Sequence, residues 1–306
     1  MLLKRSIRKW FITALTAVLV VVIGACARYI NSVSTVVSIT GADYVGSEAC
    51  AVCHEDVFEY FRKTVHYKIA YFEAADQATG CESCHGPGSV HVKEGGNIEK
   101  IVNFNRLTSD QSSEICLKCH RQEPLAQWRG SLHALSNVGC NDCHKSHKIT
   151  AKRMVYKGDP DLCYDCHQQQ KAQAEFPSHH PIREGKMMCK DCHNTHGADP
   201  NSLKVQTVND LCYGCHTDKQ GPFIYEHPPV EEECSLCHNA HGAIANNLLK
   251  QGEPFLCLRC HQGHRGVAMP GVHPSMSSLA TSCTQCHSQV HGSDLPSQMG
   301  RDVLTR

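Results

Sequence analysis

The sequence predicts a chain of short helices joined by turns and irregular loops, with negligible β structure and no conventional hydrophobic core. Three observations predict it. First, the 306 residues include 21 Cys and 22 His, whereas aromatic side chains make up only 6 %. Cysteine at that density usually marks a covalent or metal framework standing in for a core the chain cannot build. Second, twenty of those cysteines fall into ten Cys-x-x-Cys pairs, each followed at once by His. Third, Gly and Pro cluster just after these motifs, as in HGPG at 85–88 and the HG pairs at 196–197, 241–242 and 291–292, which favours turns over regular elements.

The motifs in chain order are Cys50, Cys53 and His54; Cys81, Cys84 and His85; Cys116, Cys119 and His120; Cys140, Cys143 and His144; Cys163, Cys166 and His167. They continue with Cys189, Cys192 and His193; Cys212, Cys215 and His216; Cys234, Cys237 and His238; Cys257, Cys260 and His261; and Cys283, Cys286 and His287. A zinc site spaces its Cys and His pairs so that four ligands close a tetrahedron, and a His directly beside the second Cys cannot turn back to the same ion. A thioredoxin-like redox pair would be one motif in a βαβ setting, not ten copies. Cys-x-x-Cys-His is the attachment motif of c-type haem, in which two thiols bond the porphyrin and the histidine binds its iron. The fold class predicted is therefore a multihaem cytochrome c with ten covalently bound haem c groups.

The spacing also predicts a helical turn at each site, because residues i, i+3 and i+4 share a face. Helix-start signals stand before several motifs: Asp159-Pro160-Asp161, Asn209-Asp210 and Glu253-Pro254. One longer amphipathic helix is expected from Val57 to Val65, with Val57, Phe58, Phe61 and Val65 at helical spacing ahead of His66. From Cys50 to His291 there are 242 residues, about 24 per haem, too few for a core at roughly 100 residues per domain. The porphyrins must be the core.

A repeat organises the other histidines. The odd-numbered motifs begin at Cys50, Cys116, Cys163, Cys212 and Cys257, and each opens a two-haem unit ordered as motif, lone His, motif, closing His. The lone histidines are His66, His133, His180, His227 and His273, and the closing ones are His91, His147, His196, His241 and His291. His180 is preferred to His179 because it precedes Pro181, as His227 and His273 precede Pro228 and Pro274. Setting the ten motif histidines aside, twelve remain for ten open iron faces, which leaves His179 and His264 spare. Recurrence favours the ligand role over a surface role for the set, since imidazole is the commonest metal-binding side chain. His241, three residues beyond His238 on the attachment side, is expected to serve a different haem from its neighbour. Two imidazoles per iron leave no position for substrate, so the expected activity is electron transfer and not catalysis. No altered motif marks an open haem of the kind a nitrite or hydroxylamine reductase needs.

The N-terminus carries Lys4, Arg5, Arg8 and Lys9 ahead of an apolar run from Trp10 to Ile23, the pattern of a bacterial export signal. Ile23-Gly24-Ala25-Cys26 resembles a lipobox whose Cys26 is lipidated after cleavage; Ala25-Cys26-Ala27 also reads as an ordinary cleavage site, and an uncleaved anchor is the third reading. All three place the haem region outside the cytoplasm. Loss of residues 1–25 leaves 26 basic against 30 acidic residues, and twenty propionates add to the acid, so nucleic acid is not an expected partner.

The segments VNDLCYGCHTDKQGP, CHNTHG, CHNAHG, CHGPGSVH and CTQCHSQVHGSDLPS closely resemble the MtrA/DmsE-type decahaem cytochromes over about residues 44–298, with the motif order kept. The resemblance implies a periplasm-facing part of a porin-cytochrome conduit associated with the outer membrane, its elongated haem chain inside a large outer-membrane β-barrel porin. It further implies electron delivery to an extracellular multihaem cytochrome or reductase, and supply from a periplasmic or inner-membrane quinol-oxidising cytochrome. The alternative is a periplasmic carrier feeding a soluble reductase. The family's two pentahaem halves imply this division: signal 1–25, linker 26–45, N-terminal half 46–180, C-terminal half 181–300 and tail 301–306.

Overall fold

One hydrogen bond recurs at every motif. In all ten, the histidine N–H donates to the carbonyl of the first cysteine four residues earlier, at 2.8–3.1 Å. Each motif is thus one α-turn, which places both sulfurs and the imidazole on one side of the backbone. The computed structural model describes residues 14–16, 18–20, 39–72, 80–122, 124–147, 154–261, 282–296 and 304. Cys26, His264 and His273 lie outside them, as does most of the export segment, of which 14–16 and 18–20 are helical.

The first seven motifs lie on short α-helices: Ser47–Ala51, Glu82–His85, Ser109–Leu117, Cys140–Cys143, Asp161–Tyr164, Cys189–Cys192 and Val208–Tyr213. The last three sit on 3₁₀ turns, Cys234–Leu236, Cys257–Arg259 and Cys283–Gln285. Among the described residues no strand forms; five isolated bridges, such as Ser178 with Ala243 and Tyr225 with Ser293, are the only β pairing. None of the described helices is long and apolar enough to cross a membrane.

Two expectations about helices need correction. The helix expected over 57–65 is broken into Glu55–Phe61 and Val65–Phe72. Thr64 causes the break: its hydroxyl donates to the Phe61 carbonyl and accepts from the Tyr67 N–H at 3.3 Å, ending one helix and capping the next. Asp159 and Glu253 do not cap the helices they precede, and Asn209 lies inside the helix it was expected to start. Pro160 is the N-cap before Asp161 and makes no side-chain bond; Thr207 caps Val208–Tyr213, accepting from the Asp210 N–H; Leu256 precedes Cys257 without a cap. A capping box at Thr108 and Gln111 starts the nine-residue helix Ser109–Leu117.

The chain divides into two compact units. The first comprises the described residues up to Arg129 and His133–Lys157, holding four motifs; the second comprises Gly130–Leu132 and the described residues from Gly158 onward, holding six. These contact-based units are bounded differently from the expected halves 46–180 and 181–300, which count haems. Among the described residues the buried apolar side chains are Phe61, Val102, Ile115, Leu117 and Trp128 in the first unit and Ala174, Leu203 and Ala243 in the second. At ~25 cal/mol per Å² such a set cannot offset the entropy of ordering a chain this long, which is why the cofactors have to fill the interior.

Polar anchoring takes over much of the remaining work. In the first unit Glu82 is 2 % exposed and accepts from the N–H groups of Val45, Gly46 and Gly88 at 2.8–3.1 Å. Glu114 holds Arg129 through two hydrogen bonds of 2.5 and 2.7 Å. Across motifs four, six and eight a tight loop repeats: Lys145, Asn194 and Asn239 donate to the carbonyls of Met154, Ser202 and Leu248, at 2.6–2.8 Å. Tyr156, Lys204 and Lys250 return bonds to the carbonyls of Cys143, Cys192 and Cys237. Residues with positive φ close each loop: Met154, Asn201 with Ser202, and Asn247 with Leu248.

Candidate haem centres

The turns bring the cysteines together in a regular order. Within each repeat the first cysteines of its two motifs lie side by side: Cys50 with Cys81, Cys116 with Cys140, Cys163 with Cys189, Cys212 with Cys234, and Cys257 with Cys283. As free thiols each of the first two pairs shares a proton, because one thiol donates to its neighbour. That holds Cys81 and Cys140 down to about 6 and pushes Cys50 and Cys116 up. Between successive repeats the neighbours are second cysteines: Cys84 with Cys119, Cys192 with Cys215, Cys237 with Cys260. Within each unit the sulfur contacts thus follow chain order, alternating first with first and second with second.

The histidines pair as well, and across repeats. Motif and repeat imidazoles face each other as His54 with His91, His85 with His147, His120 with His66, His193 with His241, His216 with His180, His238 with His291 and His261 with His227. Ring centres are 5.8–6.5 Å apart in all seven pairs. A metal–nitrogen bond of about 2 Å on each side, plus about 1.1 Å from each nitrogen to its ring centre, separates two axial imidazoles by about 6.2 Å. The donor set therefore fits an iron between each pair. His241 does face His193, one even-numbered motif back, and not its neighbour His238. Among these seven pairs, the first motif alone draws its partner, His91, from its own repeat.

Nδ1 carries the proton on many of these rings. A backbone carbonyl can only accept, and the Nδ1–H groups of His85, His91, His180, His193, His227 and His238 donate to the carbonyls of Val102, Asn97, Ala240, Asn201, Val290 and Asn247, at 2.8–3.2 Å. This fixes ring orientation and leaves the Nε2 lone pair for a metal. Burial lowers the pKa of His66, His85, His147, His241 and His291, which keeps those rings neutral, as ligation requires. Beside His291 a cavity of about 450 Å³ is lined by Asp218, Lys219, Phe223, Gly292 and Leu295, a size and mixture suited to a cofactor edge.

His179 is turned away from this set. Its Nδ1–H donates to the Phe176 carbonyl and its Nε2 lies 3.1 Å from Glu184, whose hydrogen bond raises its pKa. His180, next to it, faces His216 instead. His133, His144, His167, His196 and His287 are all described and each takes part in a polar, ring or electrostatic contact. Sequence reasoning missed the carbonyl acceptors and Glu82. The signal for Glu82 was weak: a lone acid inside CESCH has no periodicity to betray its burial.

Comparison with known proteins agrees with this geometry. The family described as "Doubled CXXCH motif" matches residues 133–172, 179–221 and 227–266. Each match starts at or beside a lone histidine of the repeat and spans an even motif and the next odd one. The chain is 37 % identical over 268 residues to Multiheme cytochrome MtrA of Shewanella baltica, covering 82 % of this chain and 80 % of that protein. It is also 30 % identical over 102 residues to Cytochrome c-type protein NrfB of Escherichia coli, covering 31 % of this chain and 53 % of that protein.

Proposed function

The chain belongs to the MtrA family of multihaem c-type cytochromes, electron-transfer proteins with covalently bound haem c, and on that premise we propose that it carries electrons along ten haems through the outer membrane inside a porin. Bound haem supplies the one-electron Fe(III)/Fe(II) couple. The twenty motif cysteines hold the porphyrins, the ten motif histidines take one iron face each, and the ten repeat histidines take the other. The observation that carries this reading is the set of seven imidazole pairs, three in the first unit and four in the second, each spaced for one iron, with sulfur contacts that follow the order of the motifs within each unit.

Because two of this chain's own imidazoles would hold each iron, no position would be left for a substrate, and the protein's role is passage, not turnover. Its partners under this reading are the outer-membrane β-barrel porin around it, an extracellular multihaem cytochrome or reductase beyond it, and a periplasmic or inner-membrane quinol-oxidising cytochrome before it. Export signal, division into halves 46–180 and 181–300, and lipid attachment through Cys26 belong to the same proposal. The test is reconstitution in liposomes with and without the candidate barrel, following reduction or bleaching of an enclosed redox dye. Transfer across the bilayer only when chain and barrel are both present is expected; transfer that ignores the barrel refutes the conduit. The partial similarity to NrfB favours a second reading, a periplasmic carrier delivering electrons to a soluble reductase, which would leave the enclosed dye untouched and reduce an added soluble partner.

A further inference from the structure

In every repeat a side chain three or four residues before the first cysteine of the odd motif accepts a hydrogen bond from the even motif. Ser47 Oγ accepts from the Cys81 N–H at 3.2 Å, and Ser113 Oγ from the Cys140 N–H at 3.2 Å. The Asp159 carboxylate accepts from the N–H groups of Cys189 and Lys190 at 2.9 and 3.1 Å, and Asn209 Oδ1 from the Cys234 N–H at 2.7 Å. In the last repeat Glu253 accepts from the Thr284 N–H at 2.8 Å and from its hydroxyl. In each case the acceptor stands three or four residues before the first cysteine of the odd motif, and the donor is the first cysteine of the even motif or the residue after it.

An N–H in the first turn of a helix has no partner within that helix. A local residue usually satisfies it; here the acceptor comes from the other motif, 25–34 residues away in chain order. Two serines, an asparagine, an aspartate and a glutamate perform one job. The two acidic acceptors stand one residue farther from their cysteine than the others, each followed by Pro, so arm length and starting point compensate. A residue type that changes while the bond stays is the mark of a geometric requirement. The bond ends on the backbone N–H of the cysteine whose sulfur lies against the first cysteine of the odd motif, or one residue past it. It therefore fixes the one point in the repeat where two haem attachment bonds meet.

We propose that Ser47, Ser113, Asp159, Asn209 and Glu253 are positioning residues that lock the paired attachment turns of each repeat, and so set the gap between its two haems. The proposal rests on the haem assignment above. It makes the repeat, and not the single motif, the unit in which inter-haem geometry is fixed.

The test uses the full-length holoprotein, comparing wild type with Asp159→Ala, Asn209→Ala and Asp159→Asn, the last of which keeps one acceptor oxygen. Haem per chain is measured from absorbance, inter-haem magnetic coupling by electron paramagnetic resonance, and electron-transfer rate by voltammetry of the adsorbed protein. Both alanine variants are expected to retain wild-type haem content while the coupling of one haem pair changes, a different pair in each, and transfer slows several-fold. Asp159→Asn is expected to recover most of the wild-type spectrum. If Asp159→Ala loads haem poorly, Ser113→Ala, with its small change in volume, is read by the same criteria. Wild-type coupling and rate in the alanine variants would sink the clamp, as would an equal change at every haem, the sign of general loosening. A wild-type chain without paired low-spin haems would instead sink the haem assignment and the clamp together.

Discussion

The second motif and the sixth and eighth motifs meet one requirement by different means. His85 needs an acceptor for its Nδ1–H and finds it in the carbonyl of Val102, 17 residues away, at 2.8 Å. His193 and His238 find theirs in Asn201 and Asn247, eight and nine residues away, on tight loops closed by positive-φ residues. Around the second motif the backbone is held by the buried Glu82 carboxylate; around the eighth it is held by close approach, with Gly242 packed against the Gln173 backbone. The common feature is not a loop but an imidazole oriented by an Nδ1–H bond to a backbone carbonyl. Long-range polar anchoring and local loop geometry are interchangeable ways of providing it.

Breaking the imidazole pair itself should have the largest effect. His241→Ala should convert one low-spin haem to high spin and leave the others low-spin, as read by electron paramagnetic resonance. The affected centre should be the one attached at Cys189 and Cys192, since His241 faces His193. A change at the Cys234 and Cys237 centre would reverse that assignment. Next comes the support of the second motif: Glu82→Ala strands the buried Gly88 N–H and the partly buried N–H groups of Val45 and Gly46, and at 1–3 kcal/mol for a fully buried unsatisfied group and less for the others, a loss of about 2–4 kcal/mol is expected in the thermal unfolding of the holoprotein. The spectrum of the haem attached at Cys234 should be unaffected.

Gly242→Ala is the matching lesion in the other region. Its φ is +140° and an added Cβ would fall 2.0 Å from the Gln173 carbonyl oxygen, so backbone must move. A cost of about 2–3 kcal/mol follows from strain of this kind, with the spectral change confined to the haem that His241 serves. The smallest effect is at the cap of the helix carrying His66: Thr64→Ala should cost about 1 kcal/mol and perturb the third haem, whose His120 faces His66. Equal spectral changes from Glu82→Ala and Gly242→Ala would show that the two regions are not separately supported.

The attachment sites were readable residue by residue, because Cys-x-x-Cys-His needs only one α-turn and local spacing specifies one. The repeat was readable too, since lone and closing histidines recur at set places, and His180 was separable from His179 by the proline after it. The helix at 57–65 was misread because apolar periodicity runs through Thr64, whose hydroxyl bonds locally and breaks the ladder. Asp159, Asn209 and Glu253 were misread for a related reason: a side-chain acceptor before a helix looks the same whether it caps that helix or one 25–31 residues on.

The sequence by itself determined the chemistry of each centre, the number of motifs, and which histidines were available to face them. Which imidazole faces which was decided only by tertiary structure. A distal ring must approach from across the porphyrin plane, so its partner is set by how one repeat folds against the next, and nothing in the spacing of residues along the chain records that approach.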